Sequence, residues 1–302
     1  MPRYRHIGLT VKSAFDRKDK AIERVIRTLK REGCTICVDT PRFAGLACTR
    51  ACPPICEQQN LDLLIVLGGD GTVLRSLREV KDFSVPILAV NRGTVGFLAE
   101  VELKEVEHIL PLLLKGKGIV EERSLLHVTA LHGDTETFSG IALNEAVIAQ
   151  GTIARLIDLK TTLDGHPLTT FLSDGLMIAT PTGSTAYSLA AGGPIVHPAF
   201  GSALILTPLN PYSFSQKPIV LRGESEVEVT VHIKARKFAD VEVNLTIDGQ
   251  IYIPLRDGDH IRVTTAKQTV KFLRRSKDSF VNTLRTKLKW GERARMNRSA
   301  RA

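Results

Sequence analysis

Two rhythms of apolar positions alternate along the first 120 residues. Ile7, Leu9 and Val11 recur at every second position, as on a strand. Ile22, Val25, Ile26 and Leu29 then recur at the three-and-four spacing of one helix face, and Gly33 supplies a stop. The alternation repeats. Residues 61–67 form a nearly continuous apolar run, 73–80 have helical spacing, 85–90 form a second buried run, and the spacing predicts a helix over 103–115. Near-continuous apolar strands between helices are the pattern of a parallel sheet covered on both faces.

After about Arg123 the texture changes. Residues 227–233 and 241–247 alternate one by one, as half-buried antiparallel strands do. Turn signals such as His132-Gly133-Asp134, Leu163-Asp164-Gly165-His166-Pro167 and Arg256-Asp257-Gly258-Asp259 separate β-rich segments. The expectation is an α/β N-terminal domain with a parallel sheet over residues 1–123, followed by a mostly-β domain over 124–270. A basic C-terminal segment over 271–302, with a disordered end, completes the chain. A length of 302 residues suits two domains.

Composition adds two constraints. The 43% hydrophobic and 24% charged content is that of an ordinary globular protein, with no continuous apolar stretch of membrane-spanning length. The start of the chain has no room for the apolar region of a secretion signal, so a cytoplasmic protein is expected. The net charge of +9 invites a nucleic-acid reading, but eleven of the 41 basic and two of the 32 acidic residues follow position 270, so the rest is formally neutral. Nucleic-acid binding is disfavoured, because the polar end Arg293–Ala302 lacks the aromatic interleaving of single-strand binders and only Trp290 lies near it. All five cysteines lie between Cys34 and Cys56. Their x2 and x3 spacings, interrupted by Pro53-Pro54, match metal-ligand patterns poorly and read as reduced thiols.

The candidate chemistry starts at the end of the first buried run, in Gly68-Gly69-Asp70-Gly71-Thr72. Glycines let backbone N–H groups approach phosphates closely, and the helix that follows offers its positive end. There is no Walker-type lysine; the carboxylate of Asp70 sits among the glycines instead. It suits accepting a proton from an attacking hydroxyl or helping to hold the metal of a nucleoside triphosphate, and equally suits capping the next helix. After the second buried run, Asn91-Arg92-Gly93-Thr94-Val95-Gly96-Phe97 makes another polar turn on the same sheet edge. Arg92 in it is either a phosphate ligand or an ordinary surface residue.

Further motifs follow in the β-rich half: Asn144-Glu145, Asp174-Gly175, Pro181-Thr182-Gly183-Ser184-Thr185-Ala186-Tyr187 and Asp248-Gly249-Gln250. Together with the Gly68 loop, and in this order, they resemble the NAD kinases of prokaryotic type over roughly residues 65–291. The resemblance implies the two-domain kinase fold shared with diacylglycerol kinases. It also implies phosphorylation of NAD on the 2'-hydroxyl of its adenosine ribose by ATP, giving NADP. Asp70 would be the proton acceptor, with Gly68, Gly69, Gly71, Thr72 and Arg92 around the substrates. Asn144, Glu145, Arg155 and Asp174 would contact the dinucleotide. Thr185, Ala186, Tyr187, Ser188, Leu189 and Ala190 would line its adenine side, and Gln250 would complete the site. The family also implies a divalent cation, Mg2+, whose ligands the motifs do not name, and a homo-oligomer, dimer or tetramer. Leu172 departs from family members that prefer oxidised NAD, which carry Arg there, so the choice between NAD and NADH stays open. So does the donor, ATP or polyphosphate. Lipid kinases of the diacylglycerol or sphingosine type carry a similar first loop but not the later motifs, and a nucleotide sensor without catalysis would not need Asp70.

Overall fold

The computed structural model describes residues 2–11, 20–43, 52–54, 60–79, 82–91, 93, 96–151, 156–233 and 242–290. The chain divides into two compact units. The first comprises Met1–Val73, Ile87–Ile119 and Leu273–Ala302, and the second Leu74–Pro86 and Val120–Phe272.

The first unit begins with strand β1 (His6–Val11), helix α1 (Ala21–Arg31), β2 (Thr35–Val38), the short α2 (Thr40–Phe43) and β3 (Leu63–Leu67). Helix α3 (Asp70–Glu79) starts here and continues into the second unit. Then come β4 (Ile87–Asn91), the two-residue β5 (Val101–Glu102), a 3-10 turn and α4 (Val106–Leu114). The strands lie parallel in the order β2-β1-β3-β4-β5. β3 and β4 are buried at every position, as their apolar runs require of a sheet covered on both faces. On α1, Ile22, Val25, Ile26 and Leu29 all face this core. The expected start of α3 at Val73 is too late: the structure winds the helix from Asp70, because the glycine loop itself supplies the first turn.

The second unit is two antiparallel layers. β6 (Ile119–His132) and β7 (Thr135–Ala142) form a hairpin, followed by β8 (Glu145–Gln150), β9 (Ile157–Leu163), β10 (His166–Ser173) and β11 (Gly175–Ala179). A 3-10 turn at Gly183–Thr185 and helix α5 (Tyr187–Ala190) precede β12 (Ala203–Leu209) and β13 (Ile219–Arg222). The chain continues through β14 (Val227–His232), β15 (Val243–Ile247), β16 (Ile251–Leu255) and the long β17 (His260–Arg274), after which α6 (Ser279–Leu288) belongs to the first unit. One sheet runs β10-β9-β14-β17-β6-β7; the other runs β13-β12-β11-β8-β15-β16. Leu159, Phe171, Val229 and Ile261 of the first pack with Ile148, Ile178, Leu206 and Leu245 of the second. The three sequence turn signals all fall at strand connections, with Gly133, Gly165 and Gly258 at positive φ. Among the described residues no helix is long and apolar enough to cross a membrane.

Candidate active site

The sequence-derived residues fall into three places, the first at the junction of β3 and α3. A fully buried strand must deliver the chain to the sheet edge, where open α/β folds bind ligands. Gly68 makes the exit: a β-carbon there would lie 2.7 Å from Thr72 Cβ, so only glycine lets the chain fold back over the first helical turn. The turn closes with Thr72 N donating to Gly69 O at 2.8 Å. Gly71 is exposed, while Gly69, Asp70 and Thr72 are half-buried.

The Asp70 carboxylate reaches across to the segment after β4. Oδ2 accepts the Phe97 N–H at 2.9 Å and Oδ1 the Leu98 N–H at 3.1 Å. Two donors on adjacent residues fix the plane of the carboxylate. Gly96 makes the approach possible, since a β-carbon there would fall on the carboxyl group, closer to its carbon and both oxygens than any non-bonded contact allows. Neither Gly96 nor the two N–H groups stood out in sequence, although Gly96 belongs to the polar turn read for Arg92. Arg92 itself lies outside the described residues.

The second place gathers Asn144, Glu145 and the 180–185 segment around Asp248. β15 and β16 form a hairpin whose Asp248-Gly249-Gln250 turn puts Asp248 at φ 51° and Gly249 at φ 63°, the conformation Asp and Gly tolerate. The buried Asp248 carboxylate accepts three backbone N–H groups: Leu143 at 3.0 Å, Asn144 at 2.7 Å and Glu145 at 3.2 Å. Its own N–H donates back to Glu145 O at 3.0 Å. Behind Asn144, Thr180 N donates to Asn144 O at 2.9 Å, and Thr180 Oγ1 donates to Leu143 O at 2.5 Å. Gly183 packs directly on the Asn144 backbone, where a β-carbon would meet its Cα at 2.8 Å. Ser184 Oγ ties the segment to Pro181 O, at 2.6 Å, and receives Val196 N at 3.0 Å. Ser188 is buried, Thr185, Ala186 and Leu189 are half-buried, and Tyr187 and Ala190 are exposed. Gln250 is half-buried beside the turn. The role of Asp248 as organiser was missed because Asp-Gly reads first as hairpin chemistry.

Glu145 is the unusual carboxyl of this cluster. It is 6% exposed, and its Oε2 has no hydrogen-bond partner among the described residues. Burial, and then the charge of Asp248, push its pKa up to about 8, so it is protonated at neutral pH and able to donate. Burial also raises Asp248, opposed by its three N–H donors and by the charge of Arg78.

Asp174 occupies the third place. Its carboxylate takes Gln150 Nε2 at 2.8 Å and Asn210 Nδ2 at 2.9 Å. β11 separates it from the second cluster: Ala179 pairs with Glu145 at one end and Gly175 with Ala149 at the other. Five residues of strand put Asp174 about 17 Å from that end. The structure therefore does not bring Asp174 to Asn144 and Glu145, and Arg155 lies outside the described residues. Leu172, half-buried on β10, accepts Tyr212 N through its carbonyl at 2.8 Å.

Three of the five cysteines are described, and all are free thiols. Burial pushes Cys34, Cys37 and Cys52 upward, away from the thiolate form that metals need. Cys48 and Cys56 lie outside the described residues.

Comparison with known proteins finds relatives over most of the chain. The family model of the ATP-NAD kinase N-terminal domain matches residues 7–118, and that of the ATP-NAD kinase C-terminal domain matches residues 143–275. The NAD kinase of Geotalea daltonii is 41% identical over 272 residues, covering 90% of this chain and 93% of that protein. That of Geobacter metallireducens is 46% identical over 233 residues, covering 77% and 80%. Among solved structures, yeast NADH kinase complexed with NADH superposes with a TM-score of 0.82 at 26% identity, covering 98% of this chain and 90% of that one. An NAD kinase from Archaeoglobus fulgidus in complex with ATP gives 0.71 at 27% identity, covering 92% and 96%. This chain belongs to the NAD kinase family.

Proposed function

We propose that this chain phosphorylates NAD on the 2'-hydroxyl of the adenosine ribose with ATP to form NADP, and that Asp70 accepts the hydroxyl proton. The observation that carries the role of Asp70 is its carboxylate, held by two backbone N–H groups at the end of a glycine loop. In the step, the 2'-oxygen bonds to the γ-phosphorus, the bond from that phosphorus to the β,γ-bridging oxygen breaks, ADP leaves, and the proton passes to Asp70. Little covalent chemistry falls to the protein, so its contribution is positioning and a proton acceptor at the attacking atom.

In this reading Asn144 and Glu145 hold polar groups of the dinucleotide. A protonated Glu145 donates, which a carboxylate cannot do, and Asn144 offers both donor and acceptor. Gly68, Gly69, Gly71 and Thr72 receive phosphate. Among the described residues no group of three or more His, Cys, Asp or Glu side chains could cage a metal. A Mg2+ would be held chiefly by ATP phosphates and water, which leaves the Asp70 carboxylate to the proton. Bound there, it would neutralise charge on the transferred phosphoryl group.

The test is Asp70→Asn, confirmed to be folded and to bind NAD. Turnover should fall by about 10²- to 10⁴-fold, the usual worth of a positioned acid or base. Near-normal turnover removes Asp70 from the base role. Assaying the parent with NAD or NADH against ATP or polyphosphate, and measuring NADP or NADPH, fixes both specificities at once.

A further inference from the structure

The two N–H groups that hold Asp70 belong to a segment that is itself gripped from behind. Arg274, the last residue of β17, donates through Nη2 to Phe97 O at 3.3 Å and through Nη1 to Leu98 O at 3.1 Å. Phe97 and Leu98 thus carry Asp70 on their N–H groups and Arg274 on their carbonyls. The peptide unit between them has the guanidinium on its oxygen and the carboxylate on its N–H, so it is polarised in the direction that strengthens the bond to Asp70. Arg274 is fixed in turn: its side chain is 5% exposed, and Nη1 pairs at 3.0 Å with Glu100 Oε2, which is 4% exposed. Glu100 Oε1 accepts Arg275 N at 2.9 Å and Ser279 Oγ at 2.7 Å, fastening the start of α6 to the same network. Arg274 stands 204 positions after Asp70, in the segment over 271–302 that the sequence marks as basic.

We infer that Arg274 is a positioning residue for the phosphoryl-transfer step: it sets the orientation of the Asp70 carboxylate by bridging the carbonyls of Phe97 and Leu98. It touches neither substrate nor reacting atom. The inference rests on the reading of Asp70 as proton acceptor. An ammonium in place of the planar fork keeps the charge opposite Glu100 but cannot span two adjacent carbonyls in a fixed plane. Arg275 gives a matched control, since it also faces Glu100 and pairs with Glu105, while its side-chain hydrogen bonds go to Glu100 and Glu105 and not to the Phe97 or Leu98 carbonyls.

The experiment compares R274K, R275K and Asp70→Asn in the full chain, measuring kcat, KM for NAD and the thermal midpoint of each. R274K should lose about 10- to 100-fold in kcat with KM for NAD within about twofold, the signature of a lost transition-state interaction. R275K should stay within about twofold in both, with a similar midpoint. An R274K variant with parental kcat, or an R275K variant that loses as much, overturns the inference. So does an R274K variant whose loss appears chiefly in KM. Parental turnover in Asp70→Asn defeats instead the underlying reading of Asp70, which separates the two failures.

Discussion

Gly96→Ala tests the placement of Asp70 without touching its chemistry. The added methyl would fall on the Asp70 carboxyl group, and the obstacle is a functional group held by two hydrogen bonds rather than the free end of a flexible chain. To restore ordinary contact near 3.5 Å, the carboxylate must retreat by at least about 1 Å. That movement lengthens both the 2.9 Å bond to Phe97 and the 3.1 Å bond to Leu98 beyond hydrogen-bonding range. A misplacement of this size costs about 10²-fold in rate, or roughly 2.7 kcal/mol of barrier. The loss should appear in kcat, with KM for NAD within about threefold, because Asn144 and Glu145, the proposed dinucleotide contacts, are untouched. Stability should fall by only about 1–2 kcal/mol, since Asp70 is half-buried and water can replace part of what is lost. Steady-state kinetics beside a thermal melt measure all three. Parental kcat in a folded Gly96→Ala protein would refute the claim that catalysis needs the carboxylate in this position.

Asp248→Ala strands three N–H groups in a buried turn and should destabilise the second unit by about 3–5 kcal/mol, read as a lowered thermal midpoint together with a raised KM for NAD. A parental midpoint would show that water satisfies that turn. Glu145→Gln should change how stability depends on pH. Between its ordinary 4.5 and about 8 the folded chain holds a proton on Glu145 that the unfolded chain has released, so this group's contribution is present at acid pH and lost as pH rises. The slope is at most about 1.4 kcal/mol per pH unit, and the variant should lack it. Identical pH profiles for parent and variant would contradict the buried, protonated assignment.

Much of the fold was legible because burial writes directly into sequence. Leu63–Leu67 and Ile87–Asn91 are buried at every position and, Asn91 apart, fall within the apolar runs 61–67 and 85–90, while β14 alternates burial residue by residue, as its pattern predicted. The glycine loop made Asp70 a candidate but left a proton acceptor and a helix cap equally open, and the resemblance carried the choice. What escaped were the groups that act through backbone. Phe97 and Leu98 contribute N–H and C=O, which carry no side-chain signature. Arg274 was counted with a basic tail, although burial against Glu100 takes it out of that surface charge. The resemblance gave Asp174 and Glu145 to one dinucleotide without placing them, and the strand register shows that β11 lies between them.

Asp70 and Asp248 use one construction, which explains why each is aspartate. In both, a carboxylate at the start of a helix or in a turn collects N–H groups from a remote segment: two at residues 97–98, and three at residues 143–145. Every hydrogen bond the two carboxylates make among the described residues comes from an N–H donor, so both oxygens must accept. Asparagine would turn an NH2 toward an N–H in either place, replacing an attraction with a repulsion. Glutamate would carry the acceptors one methylene too far for the same bonds. The consequence differs with burial. At Asp70 water can relieve the mismatch, so the asparagine variant should fold and fail in turnover. At the buried Asp248 it cannot, and Asp248→Asn should lose stability before its kinetics can be read. A melt of the two variants side by side decides the matter: equal midpoints would mean that burial does not separate their roles.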